Sequence, residues 1–363
     1  MRSIKTLLLF VVGLTALASL GSDSSSCTPN FPFKQGWLGA DDAYSIPFPD
    51  GRVVWIFGDT LIGKKRVVIG NEPKMVRNSI GVSTCNNGKW DVDYVIRKSG
   101  TGKPLDFFQA RNSSYWYWPM DGFYHDKNLY VTLLCMRNKP VTKEDPLGFE
   151  TCGSDVVRIG GLDANPQDWT MEYFELVPDG VKAYPSSTTF IEGEYAYIYT
   201  LYEAGKRPMV LTRIPLHGLG DPRKNLEYLA QDGNWKSGLD PADAKPVMDN
   251  GVSEMSVRYH PEMKKWVAVM IDPHLTGTIL FRTAMDMTGP WSKAETIYTI
   301  PEMQKHKPGY DVDTVCYAGK EHPEFEKAGD LLFTYACNTM KVPKLAERPD
   351  IYFPKVIRMP MPN

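Results

Sequence analysis

A short apolar run, a tight polar turn and a second run rich in aromatic or β-branched residues recur five times along this chain of 363 residues. The second runs are Val53–Phe57, Leu129–Leu134, Tyr195–Tyr199, Trp266–Ile271 and Leu331–Tyr335. Their starting points advance by 76, 66, 71 and 65 residues, so one unit repeats about every 70 positions, enough for a four-stranded antiparallel sheet with generous loops. Five such units predict an all-β chain folded as a five-bladed β-propeller. A β-sandwich, or two domains with coincident spacing, is the competing arrangement.

The turns agree with that period. Asp50-Gly51 sits between Tyr44–Phe48 and Val53–Phe57, and an Asp-Gly pair flanked by β-rich runs marks a hairpin because its central residues tolerate positive φ. Equivalent turns are His125–Asn128, Glu192–Glu194, Pro261–Lys265 and Phe325–Gly329. Thirty Gly, 28 Pro and 12% aromatic residues suit short strands joined by many turns, and no long helical pattern is evident. Lys and Arg number 41 against 43 Asp and Glu, without a basic cluster, which argues against nucleic acid or an anionic membrane as partner.

The first residues resemble an export signal. Arg2 and Lys5 precede the apolar run Leu7–Leu20, and Ala16-Leu17-Ala18 supplies a small-x-small cleavage pattern. The expected organisation is therefore a signal peptide over 1–21, a tail over 22–35 and a propeller over 36–363, a secreted or periplasmic monomer with no membrane attachment after cleavage. Six residues separate Cys27 from the apolar run, and serines rather than a lipobox precede it, which disfavours an acylated anchor. Six cysteines in an exported chain suggest disulfides. If the last hairpin turns around Glu326-Lys327, Cys316 and Cys337 face each other on neighbouring strands, where a disulfide fits. Cys135 with Cys152 would then close the second blade and Cys27 with Cys85 would tie down the tail.

In a propeller the inner strand of each blade starts at one mouth of the channel and the second strand returns there. Residues at those two points converge. In blade one they are Asp41 and Asp42 at the start and Asp59 at the return, and a two-residue Asp50-Gly51 turn places Asp42 opposite Asp59. Blade four offers Glu254 and Asp272, blade three Glu203, blade five Asp311 and Asp313, and blade two Trp116, Trp118 and Asp121. Carboxylates beside aromatics are what glycosidic hydrolysis requires: one acid protonates the leaving oxygen, a second carboxylate activates water or attacks the anomeric carbon, and aromatic faces hold sugar rings. Asp42, Trp116, Trp118, Asp121, Glu203, Asp272 and Asp313 are assigned to substrate binding. Acids at strand ends also cap loops, bind calcium or are simply solvated. No Gly-x-Ser-x-Gly elbow, His-Glu-x-x-His or phosphate loop is present, and the six histidines lack ligand spacing. No metal ligands are therefore assigned and no cofactor is required, although calcium would suit the acids.

Gly36–Ser45, followed by Pro49–Arg52 and Trp55–Thr60, resembles the opening blade of a bacterial domain family of initially unknown function that includes endo-D-arabinanases. That family is related in architecture to the five-bladed propeller glycoside hydrolases. Ser253–His260, Arg282–Ala284 and Thr288–Ser292 are similar to segments across those hydrolases. The resemblance implies a five-bladed propeller with its active site at the channel mouth and a furanoside or other glycan as substrate. It places the acid of the Gly-x-Asp segment on Asp41 and that of Phe-Gly-Asp-Thr on Asp59, with Asp42 where a glycine is usual. Hairpin register favours Asp42 and the resemblance favours Asp41. We follow the resemblance, since a bulge at the strand end reverses parity. Asp41 is then base or nucleophile, Asp59 its partner or pKa modulator, and Glu254 the proton donor of a glycan hydrolase acting on a polysaccharide or oligosaccharide. A catalytically silent carbohydrate-binding propeller and an extracellular interaction scaffold are the alternatives.

Overall fold

The computed structural model describes residues 26–65, 74–143, 148–339, 341, 344–348 and 350–362. The expected signal peptide lies outside them. Within them, besides a two-stranded pairing of Arg97–Lys98 with Pro104–Leu105, the chain forms five larger antiparallel sheets in sequence order, each beginning with its inner strand: Trp37–Pro47, Tyr115–His125, Ala183–Glu192, Met255–His260 and Thr314–Glu321. Neighbouring inner strands touch all the way round, and the first meets the fifth, so the sheets close into a five-bladed propeller. All five repeated runs lie in second strands, paired to the inner strand of their own sheet.

These runs are apolar at nearly every position because each blade is covered on both faces. In blade one, Val54 and Ile56 pack with Leu129, Val131 and Leu133 of blade two. Alternate residues Trp55 and Phe57 pack with Phe325 and Leu332 of blade five. Blades two and three share Val156, Ala196 and Ile198, and blades three and four share Tyr199, Leu211, Val257 and Ala268. Blades four and five share Val267, Val269, Leu331 and Phe333. The apolar core is thus five seams around a ring, and the period-2 side-chain alternation of a strand feeds a different seam on each face.

The sheets depart from the uniform four strands that the repeat suggests. Blades two and four have four, blade three extends further, and three strands of blade five are among the described residues. The blade-one hairpin also differs from expectation. Phe48 and Arg52 close a loop of Pro49, Asp50 and Gly51, with Gly51 at φ +86°. Pro at the second turn position and Gly in the left-handed region make the three-residue hairpin, one residue longer than the two-residue form. The pairing therefore shifts by one, giving Ser45 opposite Trp55 and Ala40 opposite Thr60.

The three disulfides are Cys27–Cys85, Cys135–Cys152 and Cys316–Cys337, the pairing that strand register suggests. Cys316 and Cys337 are directly opposite in the sheet. The first bond holds the tail on blade one, while Arg358 of blade five donates to the Cys27 carbonyl. Phe31 wedges edge-on against Trp55 and Phe57. The tail thus straps the seam where the ring closes. No helix among the described residues is long and apolar enough to cross a membrane.

Candidate active site

Four of the five inner strands carry a register shift: near Asp42 in blade one, Met120 in blade two, Ser186 in blade three and Ala318 in blade five. A bulge adds one residue to a strand, turns it and re-aims its side chains. In blade one the bulge holds Asp42 at φ +63° and Ala43 at φ +118°. Asp41 and Asp42, which would point to opposite faces of a regular strand, instead both reach Gly58. A Cβ built on Gly58 would fall on Asp41 Oδ1 and Asp42 Oδ2. The choice between Asp41 and Asp42 is therefore resolved by the bulge, which turns both carboxyls to one place.

Glu254 arrives from the start of the blade-four inner strand. Its Oε2 accepts from the Ala318 amide at 3.2 Å, a donor exposed by the blade-five bulge. Its carboxyl lies within electrostatic reach of that of Asp42. Asp42 is buried, and its Oδ1 accepts from Tyr44 Oη at 2.8 Å. Tyr317 Oη donates to Asp41 Oδ2 at 2.9 Å, while Asp41 Oδ1 is buried without a hydrogen-bond partner. Asp59 is held by Arg77 at 3.2 Å and by the Trp118 indole N–H at 3.3 Å.

Crowding these acids away from water changes their protonation. Burial raises Asp41 well above the usual carboxylate range, the charges of Asp42 and Asp59 add to that, and the Tyr317 hydrogen bond opposes it. Burial and the charge of Glu254 do the same to Asp42. Burial pushes Glu254 up to about 6 against the Ala318 hydrogen bond and the charge of Lys320. Asp59 rises through burial, opposed by Arg77 and Trp118. Beneath them Lys320 is fully buried, donates to the Met120 carbonyl at 2.7 Å and lies 4.0 Å from the centre of the Tyr44 ring. Burial depresses its ammonium to about 8, against the pull of Asp121.

Glu254 forms one wall of a cavity of about 360 Å³ between blades two, three and four, lined also by Trp118, Phe149, Tyr184, Glu203 and Arg207. Trp118 joins the acids to this cavity, since its ring lines it and its N–H reaches Asp59. Of the residues assigned to substrate binding, Trp118 and Glu203 line the cavity. The others stand elsewhere. Trp116 is buried behind Trp118, with the Arg77 guanidinium 4.5 Å from its ring centre. Asp121 is wholly buried and spent on Arg258, Lys320 and the amides of Gly122 and Thr189. Asp272 closes its own turn onto the His274 amide and Thr276 Oγ1. Asp313 is paired with Lys341 and Lys344. Asp42 belongs with the acids rather than the cavity wall. Tyr44, Arg77, Tyr317 and Lys320 were not marked by the sequence; only Lys320, a lone cation in the inner-strand stretch Thr314–Glu321, offered a signal.

Residues 30–360 match the family described as "Domain of unknown function (DUF5005)". The chain belongs to that family. The DUF5005 description assigns no activity, and no curated protein matches the chain. A Bacteroides ovatus ATCC 8483 crystal structure, provisionally described as a hydrolase, shares the fold at 18% identity and TM-score 0.69, over 89% of this chain and 86% of that one. Two glycoside hydrolases are more distant. Xylan β-1,4-xylosidase from Bacillus halodurans C-125 gives 9% identity and TM-score 0.48, over 85% of this DUF5005 chain and 51% of the xylosidase. The α-L-arabinofuranosidase of Podospora anserina, solved with cellotriose, gives 12% and 0.43, over 86% and 87%.

Proposed function

We propose that this DUF5005 protein hydrolyses glycosidic bonds of a polysaccharide or oligosaccharide at the mouth of its channel. The observation that carries the proposal is the convergence of Asp41, Asp42, Asp59 and Glu254 from two blades beside an aromatic cavity. Glu254 is the proton donor: an acid raised to about 6 is half protonated at mildly acidic pH, where an ordinary carboxyl is ionised, and still yields its proton to a leaving oxygen. Asp41, in its ionised form, is the base or nucleophile: its Oδ1 has no partner within the protein, Tyr317 fixes the other oxygen, and its raised affinity for a proton strengthens it as a base. Asp42, beside Glu254, keeps a proton near the donor, and Asp59 orients Trp118. Sugar rings stack on Trp118, Phe149 and Tyr184, where apolar C–H faces meet aromatic ones. General acid–base chemistry of this kind needs no cofactor.

The substrate class we favour is a furanoside, arabinofuranoside first, on the strength of the blade-one resemblance. Action outside the cytoplasm is supported by three disulfides and by the signal-like start. The test is to incubate the mature protein with plant, bacterial and mycobacterial polysaccharides and follow new reducing ends. Release that disappears in Glu254→Gln supports hydrolysis. Binding to one of these glycans without any release would favour a carbohydrate-binding propeller instead.

A further inference from the structure

We propose a second site at the opposite mouth of the channel: a transition-metal site of the Zn²⁺ class formed by His260, Glu321 and Glu326, joining blades four and five. His260 ends the blade-four inner strand and Glu321 ends that of blade five, while Glu326 follows the turn Pro323–Phe325. One ligand atom from each residue lies within 4.8 Å of the others. His260 and Glu321 are 4% and 2% exposed. This site is independent of the hydrolase proposal: Asp41, Asp42 and Asp59 belong to blade one, and Glu254 lies at the other end of the strand that His260 closes.

Each ligand has one atom tied down and another left to the centre. Nδ1 of His260 faces Glu262 Oε1 at 3.3 Å, and Nε2 points to Glu321 Oε1 at 2.6 Å. At 2.6 Å a proton lies between Nε2 and Glu321 Oε1, and a cation entering the centre would take its place; Glu262 behind Nδ1 is then the outer-shell carboxylate that orients metal-bound histidine. Glu326 Oε1 accepts from the Leu332 amide at 2.8 Å, leaving its second oxygen. Glu321 Oε2 is buried without a hydrogen-bond partner, an orphan that a cation would satisfy. The Glu321 backbone N–H is itself fixed across the seam by Ser256 Oγ at 3.0 Å.

Charge favours a divalent ion. Glu262, Glu321 and Glu326 face one imidazole, and Arg258 on the same strand turns away to Asp121 and Thr188. One nitrogen and two carboxylates suit Zn²⁺ or a neighbouring transition metal, whereas Ca²⁺ takes six to eight oxygens, more than these residues supply. Glu321 also lines a cavity of about 480 Å³ with Ser45, Thr189 and Arg258, which gives an ion a route from solvent.

The experiment is to strip the whole mature protein with chelator, add ZnCl₂ with and without excess CaCl₂, and measure bound metal by elemental analysis and affinity by calorimetry. We expect one Zn²⁺ per chain, undisturbed by Ca²⁺, and a raised melting temperature. Glu326→Gln, at a partly exposed position where the fold should survive, should weaken binding at least about tenfold. Glu262→Gln, which touches only the imidazole, should weaken it about 10–100-fold. Absence of stoichiometric uptake, equal affinity in wild type and Glu326→Gln, or displacement of Zn²⁺ by Ca²⁺ would each overturn the site.

Discussion

Gly58 shows how little room separates the acids at the channel mouth. A methyl group there lands on carboxyl oxygens of both Asp41 and Asp42, so Gly58→Ala must push them apart. Since a misplacement of about one ångström costs on the order of 10²-fold in rate, Gly58→Ala should lose about that much kcat while circular dichroism stays native. Asp42 adds a prediction about stability. Its folded pKa lies above its unfolded value, so the folded chain holds the extra proton between the two, and stability falls as pH rises through that window. Asp42→Asn carries no such titration. Its melting temperature should therefore exceed that of wild type by a margin that widens from about pH 4 upward, and a margin that narrows would contradict the burial argument. Asp59 and Glu254 could be placed at the channel mouth from the sequence because strand ends of a propeller converge by topology, whereas register pointed to Asp42 and Asp41 was chosen on the resemblance alone. The ion pairs that claim Asp121 and Asp313 were not legible, because Lys320 and Arg258 meet Asp121 across 137 residues or more and no local pattern records such a contact.

Hairpins and bulges decide what each strand end does. The repeat of apolar runs located all five second strands, since burial on both faces leaves a strong signal. Register was harder to read. Asp50-Gly51 marks the turn, but Pro49 extends the loop by one residue, and the bulge at Asp42 then changes parity again; neither step is encoded in hydrophobic alternation. For Cys316 and Cys337 two departures cancel: the turn sets Glu321 opposite Phe333, one residue off a two-residue turn at Glu326-Lys327, and the bulge near Ala318 restores the offset before the cysteines meet. Replacing both by Ser should cost about 2–5 kcal/mol in denaturant unfolding, with little effect on the acids, which are positioned by strand pairing. An unchanged unfolding midpoint would show that the seam between blades four and five carries that stability alone.

The closed ring places acids from blades one and four side by side although more than 190 residues separate Asp59 from Glu254. That placement depends on the seam between blades one and five, where the tail straps the ring. Phe31→Ala removes a buried aromatic from this seam and should destabilise the protein by about 3–5 kcal/mol, read from thermal or denaturant unfolding. The central claim is that the converged carboxyls perform acid–base chemistry on a glycan. It is tested most directly by kcat/KM of Glu254→Gln and Asp41→Asn on two glycosides of one sugar, one with a poor leaving group and one with an activated aryl leaving group. Loss of proton donation should cost Glu254→Gln about 10²–10⁴-fold on the poor leaving group and far less on the aryl glycoside, whereas Asp41→Asn should be crippled on both. Rates near wild type in both variants on both substrates would contradict the account.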